Sequence, residues 1–203
     1  MIKIENIDVY GFEAAIRGAR NPMNSWHLMD SCYNNGEFEI GEKDYDLLRR
    51  LTIAGPEHRK WNRMVTVTMD ITAPLYWWKE YDTYKVGTVA NSCSTMHKIQ
   101  SKKFEMSDFS IEHLSSSSLM HMIIFDLNFY RDKFNETKNK EYWWKMIQLL
   151  PTSYNQKRTV HLDYETLGAM YRQRKHHKLD EWREFCSMIE GLPYSEFITM
   201  KFE

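Results

Sequence analysis

The sequence predicts an α+β fold with few strands and much helix. One stretch alternates apolar and polar residues as a half-buried strand does, and several others repeat their apolar residues at helical spacing. The length of 203 residues is enough to bury a real core in one domain. We therefore expect an antiparallel or mixed sheet with surrounding helices, in a single domain over residues 1–203.

The N-terminal quarter predicts one strand followed by two helices. The imperfect alternation in IKIENIDVY, residues 2–10, favours a first strand. GFEAAIRGAR then predicts a short helix, and NPMNSW predicts a turn. In EKDYDLLRRLTIAG the apolar residues Tyr45, Leu48 and Leu51 share one helical face, and Gly55 is a plausible stop.

The clearest strand signal is MVTVTMDIT, residues 64–72. Its apolar residues at every second position alternate with threonine and aspartate, and β-branched residues are frequent. APLYWWKEYDTYK follows as a predicted helix, opened by Pro74 near its first position. GTVANSCST, residues 87–95, predicts a loop.

The C-terminal half reads as mainly helical. A long helical pattern covers residues 111–135, and the SSSS run inside it leaves open a break between two helices. KEYWWKMIQLL predicts a further helix that stops at Pro151. LDYETLGAMYRQR predicts a helix capped by Asp163, and LDEWREFCSMIEGL predicts a last helix ending at Gly191.

Composition narrows the function classes. The formal net charge is −1, from 27 basic and 28 acidic side chains, which argues against a dedicated nucleic-acid binder. The three cysteines are far apart and the histidines are scattered, so neither a disulfide framework nor a metal site is expected. With no signal-peptide core and no long apolar run, we expect a soluble cytoplasmic protein without a membrane partner.

Local motifs leave several functions open. The glycines form neither a dinucleotide-binding fingerprint nor a phosphate loop, and no GxSxG nucleophile elbow is present. Cys93, in NSCSTMH, is either a nucleophile or an ordinary loop cysteine. The adjacent His176 and His177 point in different directions on a helix, which favours a solvated basic patch over a chelate.

The segment VTVTMDITAPLYWWKEYDTYKVGT resembles the centre of the flavin-dependent thymidylate synthases, the ThyX family. There a strand leads into a helix that begins near Ala-Pro, followed by the signature Arg-His-Arg-x-x-Ser and a loop Asn-Glu-x-Ser-x-Arg. Downstream, LLP, LDYETLGAMYRQR and DEWREF resemble the C-terminal half of the family. The resemblance covers residues 47–185 and rests on the order of motifs more than on identities.

The resemblance implies a set of site residues. The implied cofactor-binding residues are Lys85, Thr88 and Asn91, and the implied substrate-binding residues are Glu80, Ser94 and Arg174. The catalytic residues are unknown at this stage, and the resemblance implies that no protein nucleophile is required. The signature is altered, since Thr83-Tyr84-Lys85 stands where Arg-His-Arg is expected. Glu165 stands where the family has an arginine, and we expect it to repel a pyrophosphate.

The resemblance also implies an activity. Members transfer a one-carbon unit from methylenetetrahydrofolate to deoxyuridylate (dUMP), with reduced FAD supplying hydride and NADPH reducing the flavin. They do so at sites shared by the subunits of a homotetramer. The expected partners are therefore a pyrimidine nucleotide and further copies of this chain. The altered signature leaves open a catalytically inactive nucleotide-binding or regulatory protein, and the surplus of Trp and Tyr leaves open a structural partner-binding protein.

Overall fold

The computed structural model describes residues 2–114 and 118–202. The strands are β1 (Lys3–Tyr10), β2 (Cys32–Asn34), β3 (Glu37–Glu39), β4 (Thr66–Pro74), β5 (Thr88–Ser92) and β6 (Asn155–Asp163). The α-helices are α1 (Phe12–Arg20), α2 (Glu42–Ala54), α3 (Leu75–Tyr81), α4 (Thr95–Lys98), α5 (Ser118–Thr137), α6 (Lys140–Leu149), α7 (Tyr164–Arg174), α8 (Asp180–Glu190) and α9 (Glu196–Thr199). Short 3₁₀ helices occupy Asn21–Met23, Trp26–Leu28, Lys60–Arg63 and Met106–Asp108.

The strands form two sheets. The larger sheet is antiparallel and has the order β1-β4-β6-β5, so β4 pairs with β1 and with the much later β6. Alternate residues of β4 are fully buried, as the period of two requires. β2 and β3 form a separate antiparallel hairpin in which Tyr33 lies opposite Phe38. This mixture of helices around an antiparallel sheet confirms the predicted α+β class.

The chain divides into two compact units. Within the described residues, the first unit contains 2–5, 70–83 and 90–159, and the second contains 6–69, 84–89 and 160–202. The expectation of a single domain over the whole chain stays a prediction. Each unit has buried side chains of its own.

The first unit contains an aromatic and methionine-rich core. α5 and α6 bury Leu127 and Met146 completely against the residues of the preceding loops. Trp77, Trp78 and Tyr81 of α3 form a second cluster with ring centroids 4.8–5.3 Å apart. The indole of Trp78 donates a hydrogen bond to the carbonyl of Gln156 at 2.9 Å. Trp77 and Trp78 therefore belong to the core of this unit.

The second unit packs its helices around a fully buried apolar core. Its fully buried large side chains include Ile16, Leu48, Met69, Tyr164, Trp182, Phe185 and Phe197. α7 lies among them because one face of the helix is apolar, and Asp163 begins it by accepting a hydrogen bond from the backbone N–H of Thr166 at 2.7 Å. The predicted N-cap of this helix is therefore confirmed.

Three segments differ from what the sequence predicted. Pro74 is the N-cap of α3 rather than its first helical residue, and the helix ends at Tyr81 because the chain turns there. The predicted loop over residues 87–95 is wrong for its centre, which forms β5. The predicted helix over 111–135 begins at Ser118 in the described chain; the remainder of the SSSS run, residues 115–117, lies outside the described residues.

Candidate functional site

Arg174 in the second unit is held by a residue of the altered signature. It is the last residue of α7, and its Nε donates a hydrogen bond to the phenol oxygen of Tyr84 at 2.8 Å. The same phenol donates to Oε1 of Gln173 at 2.9 Å. One hydroxyl therefore ties the end of the helix to residues 84–89 and restricts the rotation of the guanidinium.

The guanidinium of Arg174 also contacts two aromatic rings. Its central carbon lies 4.8 Å from the centre of the Trp182 ring and 5.5 Å from that of Tyr84. Trp182 is completely buried, so its ring is a fixed platform on which a planar cation is favoured. We call Tyr84, Gln173, Arg174 and Trp182 the Arg174 cluster.

Residues 84–89 lie against the first turn of α7. Gly87 has φ +77°, and a Cβ there would approach Oγ1 of Thr166 to 2.4 Å, so the position requires glycine. The hydroxyl of Thr88 donates to the carbonyl of Tyr84, which closes the segment on itself. Lys85 is exposed on this segment. The second unit thus contains three of the predicted site residues, Lys85, Thr88 and Arg174.

Glu165 does not present the uncompensated negative charge that the sequence led us to expect. Arg59 donates two hydrogen bonds to its carboxylate, from Nε at 2.7 Å and from Nη2 at 2.9 Å. This bidentate pair is largely buried and neutralises the carboxylate. The expected repulsion of a pyrophosphate by Glu165 is therefore offset within the same unit.

The first unit contains Ser94 at the N-terminus of α4. Its Oγ accepts a hydrogen bond from the backbone N–H of His97 at 3.0 Å. The preceding residue, Cys93, is fixed by backbone and side-chain bonds to Lys157 and Gln156 at 2.9 and 2.8 Å. Ser94 lines a cavity of about 400 Å³ together with Lys98, Lys102 and Lys157, which we call the Ser94 groove.

The Ser94 groove is basic. Four lysines line it, against one aspartate. Lys102 donates a hydrogen bond to Asp108 at 2.8 Å and Lys157 donates one to Asp70 at 3.0 Å, and each carboxylate raises the pKa of the ammonium group that it accepts from. Lysine side chains beside hydroxyl groups are suited to binding a phosphate.

The remaining predicted residues of the first unit lie outside the Ser94 groove. Glu80 is half-buried on α3, and its carbonyl accepts a hydrogen bond from the hydroxyl of Thr83 at 2.7 Å. Asn91 is exposed on β5. Neither residue lines the cavity that contains Ser94 in the described structure.

Several residues of these sites escaped the sequence analysis. Tyr84 was noted only as a departure from the family signature, and its bond to Arg174 spans 90 positions. Gln156 and Arg158 of β6 also escaped: Arg158 lies 4.2 Å over the ring of Trp78 and pairs with Asp82 at 2.7 Å. For Gln156 and Arg158, the sequence signal was a short run of polar residues between Pro151 and α7.

Over 2–114 and 118–202, no group of three or more His, Cys, Asp and Glu side chains is arranged to hold a metal ion. Among the helices of that same part of the chain, none combines the length and the apolar character needed to cross a membrane.

No protein-family model and no curated protein matches the sequence. Solved structures do match. Thymidylate synthase X (ThyX) of Helicobacter pylori with FAD and dUMP has a TM-score of 0.71 at 15% identity, over 97% of this chain and 96% of that one. A second complex of the same enzyme gives a TM-score of 0.68 at 15% identity, over 95% and 96%.

A third solved structure differs in its described activity. The UMP/dUMP methylase PolB of Streptomyces cacaoi, bound with 5-Br dUMP, has a TM-score of 0.62 at 14% identity, over 94% of this chain and 89% of that one. The likeness in each case extends over nearly the whole of both chains. This chain therefore has the fold of the flavin-dependent thymidylate synthases.

Proposed function

We propose that this protein binds a pyrimidine nucleoside monophosphate and methylates it, with methylenetetrahydrofolate as the one-carbon donor and reduced FAD as the hydride source. The fold supports this, because the solved structures that share it over most of their length include a thymidylate synthase and a UMP/dUMP methylase. The substrate we propose is deoxyuridylate or a closely related nucleotide.

The Arg174 cluster carries the proposal. A guanidinium offers donors in a rigid plane, which suits the carbonyl groups of a pyrimidine or the oxygens of a phosphate. The hydrogen bond to Tyr84 and the contact with the ring of Trp182 restrict the orientation of Arg174 before any ligand binds. Such preorganisation reduces the entropy that binding must otherwise overcome. Arg174 is thus the residue of the second unit that we assign to nucleotide binding. Ser94 and Glu80, which belong to the first unit, stay the substrate-binding residues that the sequence resemblance implies.

The second unit is compatible with the polar groups of a flavin dinucleotide. Arg59 compensates the charge of Glu165, so the first turn of α7 does not oppose a pyrophosphate. In the same unit Lys85 would supply a cation and Thr88 a hydroxyl group. Asn91 of the first unit stays a cofactor-binding residue by sequence resemblance alone. Bound in reduced form, FAD would supply hydride to the nucleotide, and NADPH would restore it. The protein groups act by holding and orienting the ligands.

Absorbance spectroscopy tests the proposal directly. We expect the purified protein reconstituted with FAD to show flavin absorbance after gel filtration, and dUMP to perturb that spectrum. We also expect mass spectrometry to detect thymidylate when dUMP, methylenetetrahydrofolate and NADPH are added. A protein that retains no FAD and forms no methylated nucleotide would contradict the methylation.

An arginine substitution tests the assignment of the binding residue. Arg174→Lys removes the planar fork and the bond to Tyr84, so we expect dUMP to bind roughly 10- to 100-fold more weakly by calorimetry, which corresponds to the loss of about 1.5–3 kcal/mol in a charge-assisted hydrogen bond. The matched control is Arg172→Lys, an exposed arginine on the same helix. Equal affinities of the two variants would contradict the role of Arg174.

The second candidate function is nucleotide binding without catalysis. The observation that favours it is the position of Tyr84, whose phenol bonds to Arg174 at a place where the related enzymes carry part of their signature. In this case dUMP would raise the melting temperature of the protein, whereas FAD would not bind and no product would form. The same calorimetric and mass-spectrometric measurements distinguish the two functions.

A further inference from the structure

A cavity in the second unit has none of the residues assigned to nucleotide or flavin binding in its wall. It has a volume of about 830 Å³, and its walls are the end of β1, the start of α1, the β2–β3 hairpin and the segment at Tyr194. Sites for small organic ligands usually have volumes of about 300–1,000 Å³. The cavity is therefore large enough for a whole small molecule.

Aromatic rings form much of its wall. Tyr10 and Tyr33 line it although 61% and 64% of their surfaces are exposed, which is unusual for side chains with so much apolar surface. Tyr33 is held edge-on to Phe38, with ring centroids 5.1 Å apart, across the two strands of the hairpin. Phe12 and Tyr194 form a similar pair at 5.2 Å. The rings are thus held by one another and present their surfaces to the cavity.

The charged side chains in the cavity wall make it acidic. Glu13, Glu37 and Glu39 line it, against a single lining cation, Arg17. Arg17 is paired with Glu13 at 2.5 Å, so its charge is compensated by that carboxylate. Two negative charges remain in excess. This balance disfavours nucleotides, folates and flavin dinucleotides, all of which are anions, and favours a ligand of the opposite sign.

We propose that this cavity binds an organic ammonium ion. Aromatic faces attract quaternary and protonated amines through their quadrupoles, and nearby carboxylates strengthen the attraction. Here the rings of Tyr10 and Tyr33 contact the alkyl groups of the cation, while Glu37 and Glu39 balance its charge. The site needs no covalent step and does not depend on the proposed methylation.

A pair of isosteric probes tests the proposal. Choline and its uncharged isostere 3,3-dimethyl-1-butanol have nearly the same shape, so a difference in affinity reports the charge. We expect choline to give saturable binding by isothermal calorimetry, at least about tenfold tighter than the alcohol, and to weaken as salt rises. Absence of saturable choline binding, or equal affinity for the two probes, would overturn the proposal.

Two substitutions at exposed positions locate the binding. Tyr33→Leu keeps an apolar side chain but removes the ring, and Glu37→Gln keeps the size but removes the charge. We expect each to weaken choline binding roughly fivefold or more, with an unchanged circular dichroism spectrum. The matched control is Glu136→Gln, an exposed carboxylate on α5 in the first unit, which should leave the affinity unchanged. If the control variant bound choline as weakly as the two cavity variants do, the assigned location would be overturned.

Discussion

Two buried charged side chains of the second unit show how single residues determine local structure. Asp44 is completely buried and Arg20 nearly so, and Nε of Arg20 donates to Oδ1 of Asp44 at 2.6 Å. The other carboxylate oxygen of Asp44 accepts bonds from the backbone N–H groups of Asp30 and Ser31 at 3.0 and 2.9 Å, and from the hydroxyl of Ser31. The network therefore fastens the connection between α1 and α2.

Asp44→Asn should destabilise the protein severely. The substitution leaves the guanidinium of Arg20 buried beside a neutral amide, and breaking a buried ion pair in this way costs about 3–5 kcal/mol. The free energy of unfolding in urea measures the effect. The control is Asp46→Asn, whose pair with Arg50 is exposed and should contribute at most about 1 kcal/mol. A loss at Asp44 as small as at Asp46 would refute this account.

The pH dependence of the same variant provides a second check. Burial opposes ionisation of Asp44, but hydrogen bonds from Ser31 and Arg20 outweigh it and lower the pKa of the carboxyl below its ordinary value. A lowered pKa in the folded state stabilises the protein above the unfolded pKa, and this stability is lost as pH falls through the folded pKa. In the Asp44→Asn variant, the free energy of unfolding should therefore fall less steeply than in the parent protein as the pH is lowered below about 4.

At the scale of elements, the sequence predicted those whose signal is local. β4 was predicted because apolar and polar residues alternate along it, and the structure buries the apolar ones. α7 and α8 were predicted because an apolar face and a capping residue lie close together in the sequence. β5 was missed because its residues are mostly exposed and show no apolar alternation. The β2–β3 hairpin was also missed, because its strands are short and mostly exposed; the Asn35-Gly36 pair, typical of a hairpin turn, is the local signal that could have indicated it.

In the candidate site, too, the sequence predicted local features but not contacts between distant residues. Arg174 could be named because the segment that contains it resembles a helix of the ThyX family, whereas its partner Tyr84 is 90 residues away and is brought there only by the fold. The pair between Arg59 and Glu165 spans 106 residues, so the sequence predicted repulsion where the structure has compensation. Contacts of this kind depend on tertiary packing rather than on local pattern.

The capping residue of α7 gives a prediction for a single element. Asp163→Ala removes the acceptor for the N–H of Thr166, so we expect a loss of about 1 kcal/mol in the free energy of unfolding. Chemical denaturation measures this loss, and Asp163→Asn, which keeps an acceptor, should restore most of it. An alanine variant as stable as the parent protein would show that the cap contributes nothing to stability.

At the scale of the whole molecule, α5 exposes an apolar stripe. Leu119, Met122, Phe125 and Phe129 recur at spacings of three, three and four residues and are all exposed, while Leu127 on the opposite side is fully buried in the first unit. A helix that is apolar on both sides is normally covered on both. Exposed patches of this kind commonly mark protein interfaces. The stripe therefore agrees with the homo-oligomer that the sequence resemblance predicts.

Phe125→Glu should disrupt that oligomer. Phe125 is 71% exposed, so a carboxylate there is tolerated in the separate chain, but in an apolar interface it would be buried without a partner. Light scattering after gel filtration should show the parent protein as an oligomer and the variant as a smaller species with an unchanged circular dichroism spectrum. Thr137→Glu adds the same charge beyond the stripe on the same helix and should leave the mass unchanged. A parent protein that elutes as a monomer, or a Phe125 variant with the parent's mass, would rule out this face as the interface.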